Sequence, residues 1–430
     1  MFILYDILFV FAAIVYFPYL IIQGKWHSGF KMRFGFFPDA MIRKFTDQEC
    51  IWIHAVSVGE VLAVTDLIEK LRTELPKHTV VCSTVTKTGN RIASEKLGDT
   101  CLVIYAPLDF SWVIRKFISI IKPKIYISME TEIWPNLYTM LYRRGIPIVQ
   151  INGRISDKAF KGYKRIRFLT KRVLSCVHLF YMQSSQDAER IKQLGALPER
   201  IHIAGNLKFD NLSESVPMHK REIGIYGNED IFVAGSTHPG EEEILVDAYK
   251  ELEKEFTDLR LVLAPRHIER VEEIVRLVAE KGYKAVRFSQ ITEGCKVERG
   301  IIIIDSIGCL KALYGLAKIV FIGKTLTVGG GQNMIEPAFF GKPIIVGPLT
   351  QNFKSVMSVL LKAQAIVQIQ NAEELLAEVR NLLSNSVRAE WMGAAAKQTV
   401  IKYQGATEKT VQAVKMLLKQ TLLNNEAIFL

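Results

Sequence analysis

The sequence predicts an α/β protein built from two consecutive domains, each a doubly wound parallel sheet. Short β-rich apolar runs alternate with amphipathic helical stretches, and they do so twice, on either side of the polar stretch Asn211–Asn228. The chain has 430 residues, more than one hydrophobic core usually serves, because cores stop growing at roughly 250–300 residues.

In the first half, Ile51–Ile53, Val80–Cys82, Leu102–Tyr105, Ile125–Ser128, Ile148–Ile151 and Leu179–Met182 read as strands apolar on both faces, the mark of a sheet covered on both sides. Helical patterns at Glu60–Leu75, Phe110–Ile121 and Trp134–Arg144 separate them, so the order is β-α-β and the sheet is parallel. Pro217, Gly224 and Gly227 mark Asn211–Asn228 as a linker. The alternation resumes with strands at Ile231–Ala234, Arg260–Ala264, Ala285–Phe288, Ile301–Asp305, Ile319–Ile322 and Pro343–Val346. Helices are expected at Glu241–Glu255, Ile268–Lys281, Leu310–Ala317 and Ile335–Phe340, with a helical stretch from about Ala372 to Leu423. The spans assigned are an N-terminal membrane anchor at 1–23, domains at 24–210 and 229–396, a linker at 211–228 and a helical tail at 397–430.

Hydrophobic residues make up 49% and charged residues 23%, which excludes a disordered chain. The excess of 55 Lys and Arg over 44 Asp and Glu suits an anionic partner. No nucleic-acid-binding signature accompanies it, so none is expected as partner; an anionic membrane surface or a phosphorylated substrate fits the charge, as does a solvated basic surface with no partner. The six cysteines show no C-x-x-C and lie mostly in apolar runs, which argues against a zinc site or a disulfide framework and for reduced thiols. From Phe2 to Ile22 the chain is almost wholly apolar, broken by Asp6 and Pro18 and succeeded by Lys25, Lys31 and Arg33. About 20 apolar residues span a bilayer, and cations on this flank keep the two domains in the cytoplasm. A helix lying in the membrane plane, or a buried first helix, fits the same pattern.

The chemistry concentrates where strands end. After the first strand comes His54-Ala55-Val56-Ser57-Val58-Gly59-Glu60, opening a helix. Glu60 there is either a general base for a hydroxyl or a carboxylate favoured by the first helical turn. Another strand ends at Ser128-Met129-Glu130-Thr131-Glu132-Ile133-Trp134-Pro135-Asn136, where two acids lie beside an aromatic residue and Pro135 suits the first helical position. One of the two acids is alternatively the cap of that helix. In the second half, Ser236 and Thr237 in Gly235-Ser236-Thr237-His238-Pro239-Gly240-Glu241-Glu242 precede a helix, where hydroxyls and backbone donors suit an anion. Ala264-Pro265-Arg266-His267 supplies a guanidinium shaped for phosphate. Gly329-Gly330-Gly331-Gln332-Asn333-Met334-Ile335-Glu336-Pro337-Ala338 is a Gly-rich turn leading into a helix, either a plain loop or a nucleotide-binding turn in which Glu336 would accept ribose hydroxyls. There is no G-x-G-x-x-G after the first strand and no D-x-D in the chain. The first absence argues against a dinucleotide oxidoreductase, and the second against a metal-bridged nucleotide diphosphate.

HAVSVGE, METEIWPN, GRIS, GNLKFD, GSTHPGEE, APRH and GGGQNMIEPA, taken in order, resemble the motifs of the 3-deoxy-D-manno-octulosonic acid (Kdo) transferases, from the apolar N-terminus to about Ala396. The resemblance implies the GT-B arrangement of two Rossmann-like domains facing a cleft, with an N-terminal membrane-anchoring helix. The first domain would bind the acceptor and the second CMP-Kdo. It implies inverting transfer of Kdo from CMP-Kdo to lipid IVA, the lipid A precursor, at the cytoplasmic face of a bacterial inner membrane, with more than one Kdo added and no metal or other cofactor. Glu60 would be the base on the acceptor hydroxyl, Glu130 a second essential acid and Glu132 its neighbour. Pro265, Arg266, Ser306, Ile307, Gly308, Asn333, Met334, Ile335 and Glu336 would hold CMP. The chain departs from the family at Gln332, commonly His, and at Met334-Ile335, commonly Pro-Leu. A related enzyme with a UDP-sugar donor, and a non-catalytic membrane-bound binding module, are the competing readings.

Overall fold

The computed structural model describes residues 5–7, 10–11, 29–46, 48–210, 212, 218–291 and 296–428. The chain divides into two compact units, Met1–Asn211 with Tyr403–Leu430, and Leu212–Lys402.

The first unit carries seven parallel strands: β1 (Glu49–His54), β2 (His78–Thr84), β3 (Leu102–Tyr105), β4 (Pro123–Met129), β5 (Ile148–Gly153), β6 (Leu179–Met182) and β7 (Ile201–Ile203). Their order is β3-β2-β1-β4-β5-β6-β7. The chain therefore builds outward from β1, returns, and builds outward from β4, which makes the carboxyl ends of β1 and β4 the topological switch point where such sheets bind ligands. The expected strands all form; β7 is additional, too short and too polar in Ile201-His202-Ile203 to announce itself. Core packing results from the two-faced apolar runs. On one face Trp52 is fully buried, meets Tyr126 edge-on at 5.0 Å and donates from Nε1 to the Ser83 hydroxyl at 2.8 Å. On the other, Ile51 and Ile53 pack with Val64, Leu67 and Ile68 of the helix Val58–Glu74.

The final helix, Ala406–Ile428, belongs to this unit. Ala406, Val411, Val414, Leu417 and Leu418 are buried in the same apolar cluster as Ile51 and Leu67. Asp210 ties down its start, accepting from the backbone N–H of Gly405 at 2.7 Å and of Thr407 at 2.6 Å. The span 397–430, which the sequence sets apart as a tail, is thus divided within the helix Ser386–Tyr403.

The second unit repeats the plan with β8 (Asp230–Thr237), β9 (Leu259–Pro265), β10 (Ala285–Arg287), β11 (Ile301–Ile303), β12 (Ile319–Ile322), β13 (Ile344–Val346) and β14 (Val367–Gln368). The order β10-β11-β9-β8-β12-β13-β14 puts the switch point at the ends of β8 and β12. Glu241 holds these two ends together. Fully buried at the start of the helix Glu241–Leu252, it accepts four backbone N–H groups, from His238, Lys324, Thr325 and Leu326, at 2.8–2.9 Å. A buried carboxylate is tolerated only when its lone pairs are met in this way.

Among the described residues no helix is long and apolar enough to cross a membrane. The anchor expected over 1–23 lies largely outside them, as does part of the 211–228 linker. Cys50, Cys82, Cys101 and Cys176 are buried free thiols and Cys309 is a partly exposed one; Cys295 is outside the described residues.

Candidate active site

At the first switch point, the helix Val58–Glu74 starts directly after β1, with Ser57 as its cap residue and Glu60 in its first turn. The Glu60 side chain folds back: Oε2 accepts from the Val56 N–H at 2.8 Å and Oε1 from the Ser57 hydroxyl at 2.9 Å. Burial pushes its carboxyl up to about 7, opposed by the Val56 hydrogen bond and reinforced by the nearby charges of Glu130 and Glu132. A carboxylate in the first helical turn is ordinarily stabilised as an anion. Here desolvation outweighs that effect, and the result is a carboxyl that titrates near neutrality.

Glu130 comes directly after β4 with a left-handed φ of 53°. That costs a non-glycine residue about 1 kcal/mol, and it is held there by Gln150, whose Nε2 donates to the Glu130 carbonyl at 2.6 Å. Two residues on, burial raises the Glu132 carboxyl, with Glu130 adding to the shift and a hydrogen bond from Trp134 opposing it. The Tyr138 hydroxyl donates to the Glu132 carbonyl at 2.5 Å. Neither acid caps the helix Pro135–Arg143. Asp109, from the β3 side, does so by accepting from the Asn136 and Leu137 N–H groups at 3.0 and 2.9 Å. The alternative that one of the pair serves as a cap is therefore removed.

Lys208 joins the three acids. Burial lowers its ammonium, and Glu130 and Glu60 pull it back up, while Arg154 adds to the lowering. Its place comes from a polar lattice in which Asn206 Oδ1 accepts from the Lys208 N–H at 3.0 Å, Asn206 Nδ2 donates to Gln183 at 3.2 Å, and Asn152 Oδ1 accepts from Leu207 at 3.2 Å. Lys208 lies in GNLKFD, a motif the sequence shows without indicating a role; only folding brings the turn after β7 beside the ends of β1 and β4.

His54 is buried at the end of β1, its Nδ1 3.0 Å from the Ser83 hydroxyl, and burial lowers its imidazole to about 4. It is a neutral core residue packed edge-on against Trp134.

At the second switch point, Ser236 has a left-handed φ of 56° and Thr237 is fully buried, its hydroxyl without a protein partner among the described residues. Pro265 ends β9, and the backbone N–H of Arg266 donates to the Thr237 carbonyl at 3.1 Å, leaving the guanidinium exposed. Asn333 Nδ2 donates to Glu336 Oε1 at 2.9 Å, and Asn333 Oδ1 accepts from the Ile335 N–H at 3.0 Å. Burial raises the Glu336 carboxyl, against the Asn333 hydrogen bond and the cations Lys311 and Arg266. Arg266, Asn333 and Glu336 thus come together, with Lys311 as a member the sequence did not single out. Met334 and Ile335 are buried, so their side chains serve the core and only their backbone is left for a ligand. Ser306, Ile307 and Gly308 form the turn after β11; Ile307 is 87% exposed and Gly308 takes a φ of 99° that a side chain would strain. Among the described residues no cluster of three or more His, Cys, Asp or Glu side chains could hold a metal ion.

A family model described as 3-deoxy-D-manno-octulosonic-acid transferase (kdotransferase) matches residues 28–211. A 3-deoxy-D-manno-octulosonic acid transferase of Haemophilus influenzae is 32% identical over 394 residues, covering 91% of this chain and 91% of that one. The chain belongs to the Kdo transferase family. It is also similar to a bifunctional glycosyltransferase/methyltransferase of Fusobacterium nucleatum, 36% identical across 78% of this chain but only 53% of that one. This Kdo transferase chain therefore spans about half of that longer relative. Among solved structures, Acinetobacter baumannii MurG is alike in fold, with a TM-score of 0.55, 12% identity, and coverage of 86% of this chain and 99% of that one. The Kdo transferase is thus a glycosyltransferase of two parallel-sheet α/β domains with GT-B-like neighbours.

Proposed function

We propose that the protein is an inverting glycosyltransferase that moves Kdo from CMP-Kdo to the lipid A precursor, with Glu60 as the base on the acceptor hydroxyl. The observation that carries the reading is the Glu60 carboxyl itself. In a chain of this family it is raised to about 7, flanked by Glu130, Glu132 and Lys208, and lies at the switch point of the first sheet. One-step inversion needs a base on the attacking hydroxyl and stabilisation of charge on the leaving phosphate. Glu60 is assigned the first task and Arg266 with Lys311 the second, while Asn333 and Glu336 hold the nucleoside and the Ser306–Gly308 turn borders it. Leaving-group charge is met by these cations without a metal. The net charge of +11 supports work at an anionic membrane surface, the cytoplasmic face of the inner membrane, on a phosphorylated lipid. More than one Kdo is added per acceptor in this reading.

The test is to incubate the protein with freshly made CMP-Kdo and lipid IVA and weigh the product. A mass increase by whole Kdo units, with CMP released, is the expected result; no transfer from CMP-Kdo, or transfer from a UDP-sugar instead, overturns the assignment.

A further inference from the structure

The helices Asp157–Arg165 and Arg167–Leu174 form a consecutive pair joined at Ile166, which ends the first and opens the second. Their inner sides are settled: Thr170, Val173 and Leu174 are buried, and Arg190 of the helix Ser185–Leu194 lies over the Phe160 ring at 5.8 Å and pairs with Asp157. On the outer side, among the described residues, Arg167 Nε donates to the Gln193 carbonyl at 2.8 Å and Lys164 lies over the Phe160 ring at 5.7 Å, but no acid pairs with the cations. Between Arg154 and Arg172 the chain places eight Lys and Arg residues and one carboxylate, and all eight cations are exposed. The one carboxylate, Asp157, is already taken by Arg190, and among the described residues none of the eight forms an ion pair. Nineteen residues thus hold most of the chain's net charge of +11. Beside these cations Phe168 is 83% exposed and Ile166 45% exposed.

An exposed aromatic and an aliphatic side chain ringed by long cationic stems is the pattern of a helix that lies in a lipid interface. The apolar side chains enter the acyl boundary while the cations meet phosphates. A surface that only kept the protein soluble would mix signs and would not leave Phe168 bare. The pair also borders the candidate site: Arg154, at its start, acts on Lys208, and Tyr163, within it, feels the charge of Glu132. We propose that this helix pair docks on the surface of an anionic phospholipid bilayer, with Phe168 and Ile166 inserted, and thereby holds the Glu60 end of the first sheet at the lipid surface. The inference deepens the reading that the enzyme works on a membrane-borne acceptor, and rests on it.

The experiment compares flotation of the full-length protein with phosphatidylcholine vesicles and with mixed phosphatidylcholine–phosphatidylglycerol vesicles. It does so for the wild type, for Lys161→Glu/Lys164→Glu/Arg165→Glu and for Phe168→Ser, with folding checked by thermal melting. The readout is the gain in partitioning caused by phosphatidylglycerol, because an apolar N-terminal segment would bind both vesicle types. The gain is expected to fall by more than about tenfold in the triple variant and several-fold in Phe168→Ser, and to shrink with salt in the wild type. A wild type with no gain defeats the membrane reading as a whole. A full gain in both variants defeats only the assignment to this helix pair. Equal loss of heparin retention and vesicle gain in the triple variant, with Phe168→Ser unaffected in both, marks a general polyanion surface and also overturns the proposal.

Discussion

The hydroxyl of Ser57 donates to the carboxylate of Glu60 at 2.9 Å, from the cap position of the helix whose first turn Glu60 occupies. Serine at a cap position usually satisfies backbone N–H groups; here it forms no such bond. Its hydrogen bond is spent on an acid that burial holds near neutrality, and it favours the ionised form.

Removing that bond raises the Glu60 carboxyl further. A base works only when ionised, so in Ser57→Ala the acidic limb of the kcat/KM profile for Kdo transfer moves to higher pH, by about 0.5–1 unit. The fractional loss of transfer is greatest below pH 7 and disappears at higher pH. A pH–rate profile checks this; an unmoved limb means that the hydroxyl does not tune the base.

Glu132→Gln has the opposite sign. Like charge from Glu132 raises Glu60, so the neutral amide lets the Glu60 carboxyl fall and moves the acidic limb to lower pH, whatever happens to the maximal rate. Profiles of the two single variants and the double variant measure the coupling, and the two shifts oppose one another in the double variant.

Glu241→Ala leaves four backbone N–H groups at the ends of β8 and β12 without their acceptor. Breaking a buried charge-assisted arrangement of this kind costs about 3–5 kcal/mol. Denaturant titration is expected to show that loss, and donor affinity falls with it because the backbone at His238, next to Thr237, loses its anchor. Glu243→Ala, one turn-position away on the exposed side of the same helix, is expected to change stability by less than about 1 kcal/mol.

Strands such as Ile319–Ile322 and Leu179–Met182 were legible to the residue because their apolar runs are bounded by polar residues or glycine, Lys318 and Gly323 for one and His178 and Gln183 for the other. Helices such as Lys87–Leu97 and Ser185–Leu194 were not, since their sequences are mostly polar and bury only a narrow stripe. The acids at strand ends were visible because they break apolar runs. The hidden features depend on strand order, which no local pattern encodes. Only the adjacency of β1 and β4 puts Glu60 beside Glu130, only the return of the chain after β7 brings Lys208 to them, and only the close of β3 presents Asp109 to a helix that begins at Pro135.

The most direct measurement on the central claim is Kdo transfer by Glu60→Gln, monitored alongside its stability and donor binding. Wild-type Glu60 is raised from an unfolded value near 4.5 to about 7, so its ionisation destabilises the fold as pH rises through that window, and the cost is complete above it. The amide never bears it. The account predicts that Glu60→Gln loses at least about a hundredfold in kcat, binds CMP as the wild type does, and is about 1–2 kcal/mol more stable at pH 8 but not at pH 4. Transfer at the wild-type rate by a folded Glu60→Gln protein would contradict it.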